Sequence, residues 1–236
     1  MTTGQPFFHA YEEETSMNDE MKTKSERSTI RRLPARGNYE QETIYSIIDE
    51  GLICHVGFSL DDKPFVIPMT YGRRGDTLYL HGSVASRLQR AMAAGVEVCV
   101  SITLLDGLVL ARSAFHHSMN YRSVVIFGRA MEVTDQKAMM EGLEAIVEHI
   151  VPGRWNEARQ PNEKEIRATT LVAVHLAEAS AKIRSGPPKD DSEDYSLDVW
   201  AGEIPLRQVV GVPVDDPQLS AGIRPSKNVT SYRRGK

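Results

Sequence analysis

The sequence predicts a mainly β (α+β) fold, an antiparallel barrel with a few flanking helices. Three observations lead there. Six or more short apolar runs of strand character follow one another at close spacing, separated by turn residues. Few segments carry helical periodicity, so strand and helix do not alternate as a doubly wound parallel sheet requires. Neither GxGxxG after the first strand nor GxxxxGK[ST] occurs, which removes the usual warrant for dinucleotide-binding and P-loop folds.

Residues 1–30, rich in Glu, Thr, Ser, Lys and Met with little periodicity, read as a mobile N-terminal arm. From Asn38, the run NYEQETIYSIIDEG places a capping residue, apolar Ile44, Ile47 and Ile48, and a terminating Gly51 at helical spacing. Strands follow at 52–58, 64–71 and 77–81, divided by Asp-Asp-Lys-Pro and Gly-Arg-Arg-Gly-Asp turns, and read as a meander. In 96–103, Val96, Val98, Val100 and Ile102 alternate onto one face of a half-buried strand, and further strands are expected near 107–116, 121–133 and 170–184. One helix is expected from Ser86 to Gly95 and another where Met139, Leu143, Ile146, Val147 and Ile150 share a face. Asn162 with Glu165 has the spacing of a capping box for a third. The resulting core unit is 31–185. Beyond it, SGPPKDDSEDYSLDVWAGEIPL interrupts regular structure, yet Trp200, Ile204 and Leu206 are costly to leave in water. Residues 186–236 are therefore expected as an extended arm docking on the barrel or a partner subunit, with a loose basic end.

Composition limits function by exclusion. At 236 residues, 41% hydrophobic and 25% charged, the chain has the make-up of a globular protein. A formal charge of -4 argues against a nucleic-acid binder, which needs an excess of Lys and Arg. No run approaches the roughly 20 apolar residues that cross a bilayer, and the start is polar rather than signal-like, so no membrane partner and a cytoplasmic location are expected. Cys54 and Cys99 lie in apolar runs without a CxxC partner, which speaks against a zinc knuckle or disulfide framework and suits a reducing compartment.

Three segments carry candidate chemistry. In TLYLHGSVASRLQRAM (77–92) a strand ends at His81-Gly82 and a helix opens at Ser86-Arg87, an arrangement in which hydroxyls, free N–H groups and a guanidinium can hold a phosphate. Gly82 permits close backbone approach, although Ser at a helix start is also an ordinary cap. In FVIPMTYGRRG (65–75) Pro68 lacks an N–H and belongs on an edge strand or beside a ligand. The segment 110–130 holds a polar island of Arg112, His116, His117, Ser118, Asn120, Tyr121, Arg122 and Ser123 between apolar strands. Adjacent His116 and His117 cannot face the same way on a strand, so a two-His metal site is not expected.

LHGSVASR, YRSVVIFGRA, ARSAFHHSMNYRSV and KIRSGPPKDDSEDYSLDVWAGEIPL together resemble the FMN-binding split barrel of the pyridoxamine 5′-phosphate oxidase-like superfamily. The likeness is strongest to its nitroimidazole-resistance (Nim-like), flavin-nucleotide-binding branch and covers roughly residues 30–205. It implies a six-stranded antiparallel split β-barrel and a homodimer with FMN at the subunit interface. Carried onto this chain, Ser86 and Arg87 hold the phosphate, while Ile67, Pro68 and Met69 border the ring. His81, Gly82 and Ser83 line the ribityl chain; Tyr121, Arg122 and Ser123 add contacts; Lys182, Arg184 and Trp200 complete the site. Leu88 stands where the pyridoxamine phosphate oxidases have a second basic residue, and no counterpart of their C-terminal Arg/His motif is present, which speaks against vitamin-B6 oxidation.

The leading functional expectation is an FMN-dependent oxidoreductase passing electrons or hydride to a small molecule, with NADH or NADPH as donor and His116 or His117 as acid/base. The alternatives are a haem-binding split barrel, with His81, His116 or His117 on the iron, and a non-catalytic flavin-binding protein.

Overall fold

The computed structural model describes residues 24–234. Of the expected N-terminal arm, 1–23 lie outside the described residues. Residues 24–30 are docked, with Arg27 paired to Glu97 (3.0 Å) and Glu178 (2.5 Å) and lying 5.0 Å over the Phe127 ring.

Eleven strands and six helices are assigned among the described residues. In chain order they are β1 (Gly37–Asn38), α1 (Gln41–Glu50), β2 (Cys54–Leu60), β3 (Lys63–Met69), β4 (Gly72–Arg74), β5 (Thr77–Ser83), α2 (Arg87–Ala93), β6 (Glu97–Leu110), β7 (Ser118–Arg129) and β8 (Met131–Glu132). There follow α3 (Gln136–Ile150), α4 (Arg154–Glu157), α5 (Glu163–Arg167), β9 (Thr169–His175), β10 (Ala179–Arg184), β11 (Gly202–Pro205) and α6 (Lys227–Thr230). Every pairing is antiparallel. The larger sheet runs β1-β10-β7-β6-β2-β3, with β11 beside β6; the smaller runs β4-β5-β9-β8.

Alternation of side chains along each strand decides what the sheets enclose. Val98, Val100 and Ile102 of β6, Val124 and Ile126 of β7, Val56 of β2, and Leu78 and Leu80 of β5 share one core with Ile44, Ile47 and Ile48 of α1. Each such fully buried aliphatic side chain stabilises the fold by about 1.5–3 kcal/mol. Helix α3 covers the smaller sheet's other face, where Met139 and Ile146 pack near Leu171 and Ala173. This is the split-barrel arrangement, with both sheets contributing to one interior.

Several expectations shift in detail. The helix expected from Asn38 begins at Gln41 with Glu40 as its cap, because Asn38 is taken into β1 and its Oδ1 accepts from Glu40 N (2.8 Å). The Arg-Arg of the expected turn forms β4, and Gly75, at φ +56°, with Asp76 turns the chain. The run 170–184 is two strands: β9 pairs in the smaller sheet and β10 in the larger, so the segment carries the chain between them. The Asn162–Glu165 capping box forms as expected. The C-terminal end is not loose, since Arg234 donates to the carbonyls of Asp49 (2.8 Å), Glu50 (3.0 Å) and Gly51 (2.7 Å), acceptors left open at the end of α1.

Candidate functional site

The junction of β5 and α2 is a tight turn followed by a cap. Ser83 accepts from Ser86 N through its carbonyl (2.9 Å) and from Ala85 N through its hydroxyl (3.2 Å), and Ser86 Oγ accepts from Gln89 N (3.5 Å). Arg87 is exposed and has no ion pair with any described carboxylate. Its guanidinium lies 5.3 Å over the Phe65 ring, which brings the start of α2 against β3. Gln89 is 1% exposed, and a Cβ on Gly82 would stand 2.6 Å from its Nε2, so a glycine is what lets α2 sit this close. The Gln89 Oε1 has no partner among the described residues, a state that costs about 1–3 kcal/mol when nothing else meets it. His81 Nδ1 is likewise buried and meets no partner among the described residues, and desolvation lowers the pKa of this ring, keeping it neutral. Opposite Leu171, however, His81 projects to the other side of β5 from Gly82.

Strand β3 ends the larger sheet's main path. Ile67 opposite Val56 and Met69 opposite Cys54 share the core side, whereas Pro68 opposite His55 lies on the outer side. The three expected ring-bordering residues therefore flank the strand from both faces. What they have in common is the β3 backbone.

The polar island divides between two places. At the β6–β7 tip, a short 3-10 turn (Ala114–His116) is fastened by Asp190, which accepts from Arg112 N (2.9 Å), Ser113 N (3.3 Å) and the Arg112 guanidinium (3.2 Å). His116 Nε2 lies 3.2 Å from Asp191 Oδ2, and His117 Nδ1 lies 3.0 Å from Ser113 O. With Nδ1–H donating to that carbonyl, the exposed His117 presents Nε2 as a free lone pair. Along β7, Arg122 is fully engaged by Asp106 (2.7 and 2.9 Å) and Glu50 (2.5 and 2.8 Å), and these carboxylates raise its pKa further. The guanidinium of Arg184 bonds Asn120, Gly186 O (3.0 Å) and Pro187 O (3.3 Å), while its Nε has no partner among the described residues. Between these two arginines lies a cavity of about 330 Å³ that Glu203 and Pro205 of β11 also line. Ser123 Oγ donates to Lys182 O (3.3 Å) and Lys182 Nζ to Arg32 O (3.2 Å). Trp200 is exposed and stacks against Gly202, where a Cβ would meet its ring at 2.8 Å.

A family model described as pyridoxamine 5′-phosphate oxidase matches residues 40–183, more than half of the chain. The chain belongs to this family. Among solved structures, the flavocytochrome Anf3 from Azotobacter vinelandii is 40% identical, with TM-score 0.84, over 89% of this chain and 98% of that one. An FAD and haem binding protein from Mycobacterium smegmatis is 34% identical, with TM-score 0.80, over 83% and 96%. A 5-nitroimidazole antibiotic resistance protein from Bacteroides thetaiotaomicron shares the fold at 24% identity and TM-score 0.53, over 62% and 86%. Comparison with curated proteins returns no match.

Within this oxidase-family barrel, the expected site residues form more than one group. Ser83, Ser86, Arg87 and the β3 edge adjoin each other. Tyr121 and Ser123 on β7 are three strands away from β3, about 14 Å across the sheet, and β10 with Lys182 is one strand further. Phe65 and Gln89 are the additions that sequence reasoning missed. Gln89 stands three residues after the Ser86 cap, a capping-box spacing, but its side chain turns under Gly82 and does not reach back to the cap.

Proposed function

We propose that the chain is a homodimeric flavin-binding redox protein of the flavocytochrome kind. The carrying observation is the near full-length likeness, at 40% and 34% identity, to a flavocytochrome and to an FAD and haem binding protein. The junction of β5 and α2 fits the flavin's phosphate: Arg87 is an exposed cation with no described counter-ion, Gly82 holds the backbone open, and Ser83 and Ser86 bring hydroxyls. FMN is the flavin that the LHGSVASR motif implies; the mycobacterial relative makes FAD the second reading. Residues Tyr121 and Ser123 lie too far across the sheet to share one ring with β3 of the same copy, which favours a second copy bringing them.

Bound flavin supplies hydride or single-electron exchange, so no nucleophile is required of the protein. This chain's residues position, exclude water and move protons. Asp190 fixes the turn that presents His117. A neutral imidazole whose Nδ1–H is held by a carbonyl offers Nε2 either to a substrate proton or to an iron. We assign His117 that role, with haem as the second cofactor that the relatives suggest. The oxidoreductase reading then has NADH or NADPH as donor and a small electrophile as acceptor.

The test is the absorption spectrum of protein purified with its cofactors. Flavin bands together with a Soret band support this reading, and chromatography of the acid-released flavin separates FMN from FAD. Protein that shows no flavin bands and takes up neither FMN nor FAD on titration defeats it.

A further inference from the structure

Residues 203–225 form an unbroken exposed stretch. It carries Ile204, Leu206, Val209, Val210, Val212, Val214, Leu219 and Ile223, among which Val209, Val212 and Val214 are 84%, 88% and 94% exposed. Backbone hydrogen bonds within 207–225 are confined to turns at 216–219 and 220–223. Both ends are held on this chain, the far one where Ser226 Oγ (2.9 Å) and Asn228 Nδ2 (2.8 Å) donate to Glu157. Leu206 N donates to Asp106 O (2.9 Å), and beyond the strap Arg234 holds the carbonyls of Asp49, Glu50 and Gly51. Arg122 bridges the Asp106 and Glu50 side chains, tying the two anchors together.

An extended segment with so few internal bonds, whose Val209, Val212 and Val214 stand almost wholly in water, has little of its own to offset the backbone freedom it gives up. Its most exposed aliphatic side chains, Val209, Val212 and Val214, make a surface that no described residue covers. The charges within 207–225 balance, Arg207 and Arg224 against Asp215 and Asp216, so the strap has no basic cluster for anionic lipid or nucleic acid. It fits a neutral, apolar protein surface. This chain carries one: Val66 on β3, on the outer side of the larger sheet, is exposed, as are Leu105 and Met119 on the β6–β7 ribbon. Twenty residues from Leu206 to Ser226 extend up to about 70 Å. A loop of that length held at both ends can thus reach at most about 35 Å outward, twice the radius of gyration of about 17 Å expected for a chain of this length.

We propose that the 207–225 strap lies against a second copy of this chain, each copy's strap covering exposed aliphatic residues of the other. The inference rests on the homodimer reading, and a two-fold axis satisfies both uncovered surfaces at once.

The test places the photo-crosslinking residue p-benzoyl-phenylalanine at position 212 in the full chain and mixes 15N-labelled with unlabelled protein before illumination. The expected result is a product of twice 26.3 kDa containing heavy–light pairs, with adducts mapping to β3 or the β6–β7 ribbon. In parallel, the triple variant Val209→Asp, Val212→Asp, Val214→Asp is expected to raise the dimer dissociation constant at least about tenfold, with an unchanged circular dichroism spectrum. A dimer of unaltered dissociation constant whose adducts all stay within one chain overturns the strap while leaving the homodimer standing. A wild-type chain that sediments as a monomer overturns both.

Discussion

Arg87 and Arg122 carry the same charge in opposite circumstances. Arg122 donates four hydrogen bonds to Glu50 and Asp106, so its charge is already spent within the fold. Arg87 is exposed, lies over the Phe65 ring and has no ion pair with a described carboxylate, so its donors are open. Arg87→Ala should therefore weaken flavin binding by about 1–3 kcal/mol, roughly 5- to 150-fold, as read from flavin fluorescence on titration, while leaving the melting temperature of the flavin-free protein nearly unchanged. Equal flavin affinity in the variant would remove Arg87 from the site. His149 yields a second residue-level prediction. It packs 4.5 Å from the Tyr71 ring, its Nε2 lies 2.7 Å from Gly51 O, and burial together with the nearby Arg234 charge lowers its pKa from 6.5 to about 4. The folded ring stays neutral where the unfolded one takes up a proton. Stability is thus fully present above pH 6.5 and declines as pH falls toward 4, with a loss at pH 5 of at most about 2 kcal/mol. Denaturant titrations at pH 7 and pH 5 should show this difference shrinking in His149→Gln; an identical pH dependence in both proteins would refute it.

At the scale of elements, close approach sets what the strands tolerate. A Cβ on Gly72 of β4 would lie 2.4 Å from the Ala145 carbonyl carbon of α3, a backbone atom that cannot step aside. Gly72→Ala should cost stability at the upper end of about 1–3 kcal/mol by chemical denaturation. Gly75→Ala, in open space at φ +56°, should cost only about 1 kcal/mol. Equal losses would mean that helix α3 can shift freely on the sheet. Such contacts mark the boundary of what the sequence made legible. The alternation of Val98, Val100 and Ile102 and the helical spacing of Ile44, Ile47 and Ile48 are local patterns, and all six side chains are buried where those patterns put them. The Ser86 cap and the Asn162 capping box were equally readable from neighbours in sequence. What could not be read was long-range pairing. Arg122 looked free for a cofactor contact because Glu50 stands 72 residues away from it, and the basic C-terminus looked loose because the α1 carbonyls that Arg234 caps are more than 180 residues distant. Gln89 was hidden for a different reason, since capping-box spacing suggests one orientation and tight packing on Gly82 imposes another.

For the whole molecule, the two faces of the larger sheet differ. One is closed over the core by the smaller sheet and α1. The other carries the register row Pro68, His55, Ser101, Val125 and Ser180, in which Val125 is half-buried among small and polar neighbours. A second copy laid across this row would bring its own Tyr121 and Ser123 toward the β3 edge, the contact that the strand spacing denies within one copy. Val125→Arg tests this at the molecular scale. A long side chain there can extend into solvent in a monomer, so far-ultraviolet circular dichroism should be unchanged. In a dimer closed over that row the guanidinium would be buried without a partner, an outcome that costs several kcal/mol. The expected result is a species sedimenting at 26.3 kDa that has lost most of its flavin affinity along with its partner. A variant that stays dimeric and retains flavin would place the interface elsewhere, and the contributions of β3 and β7 would then have to come from separate sites.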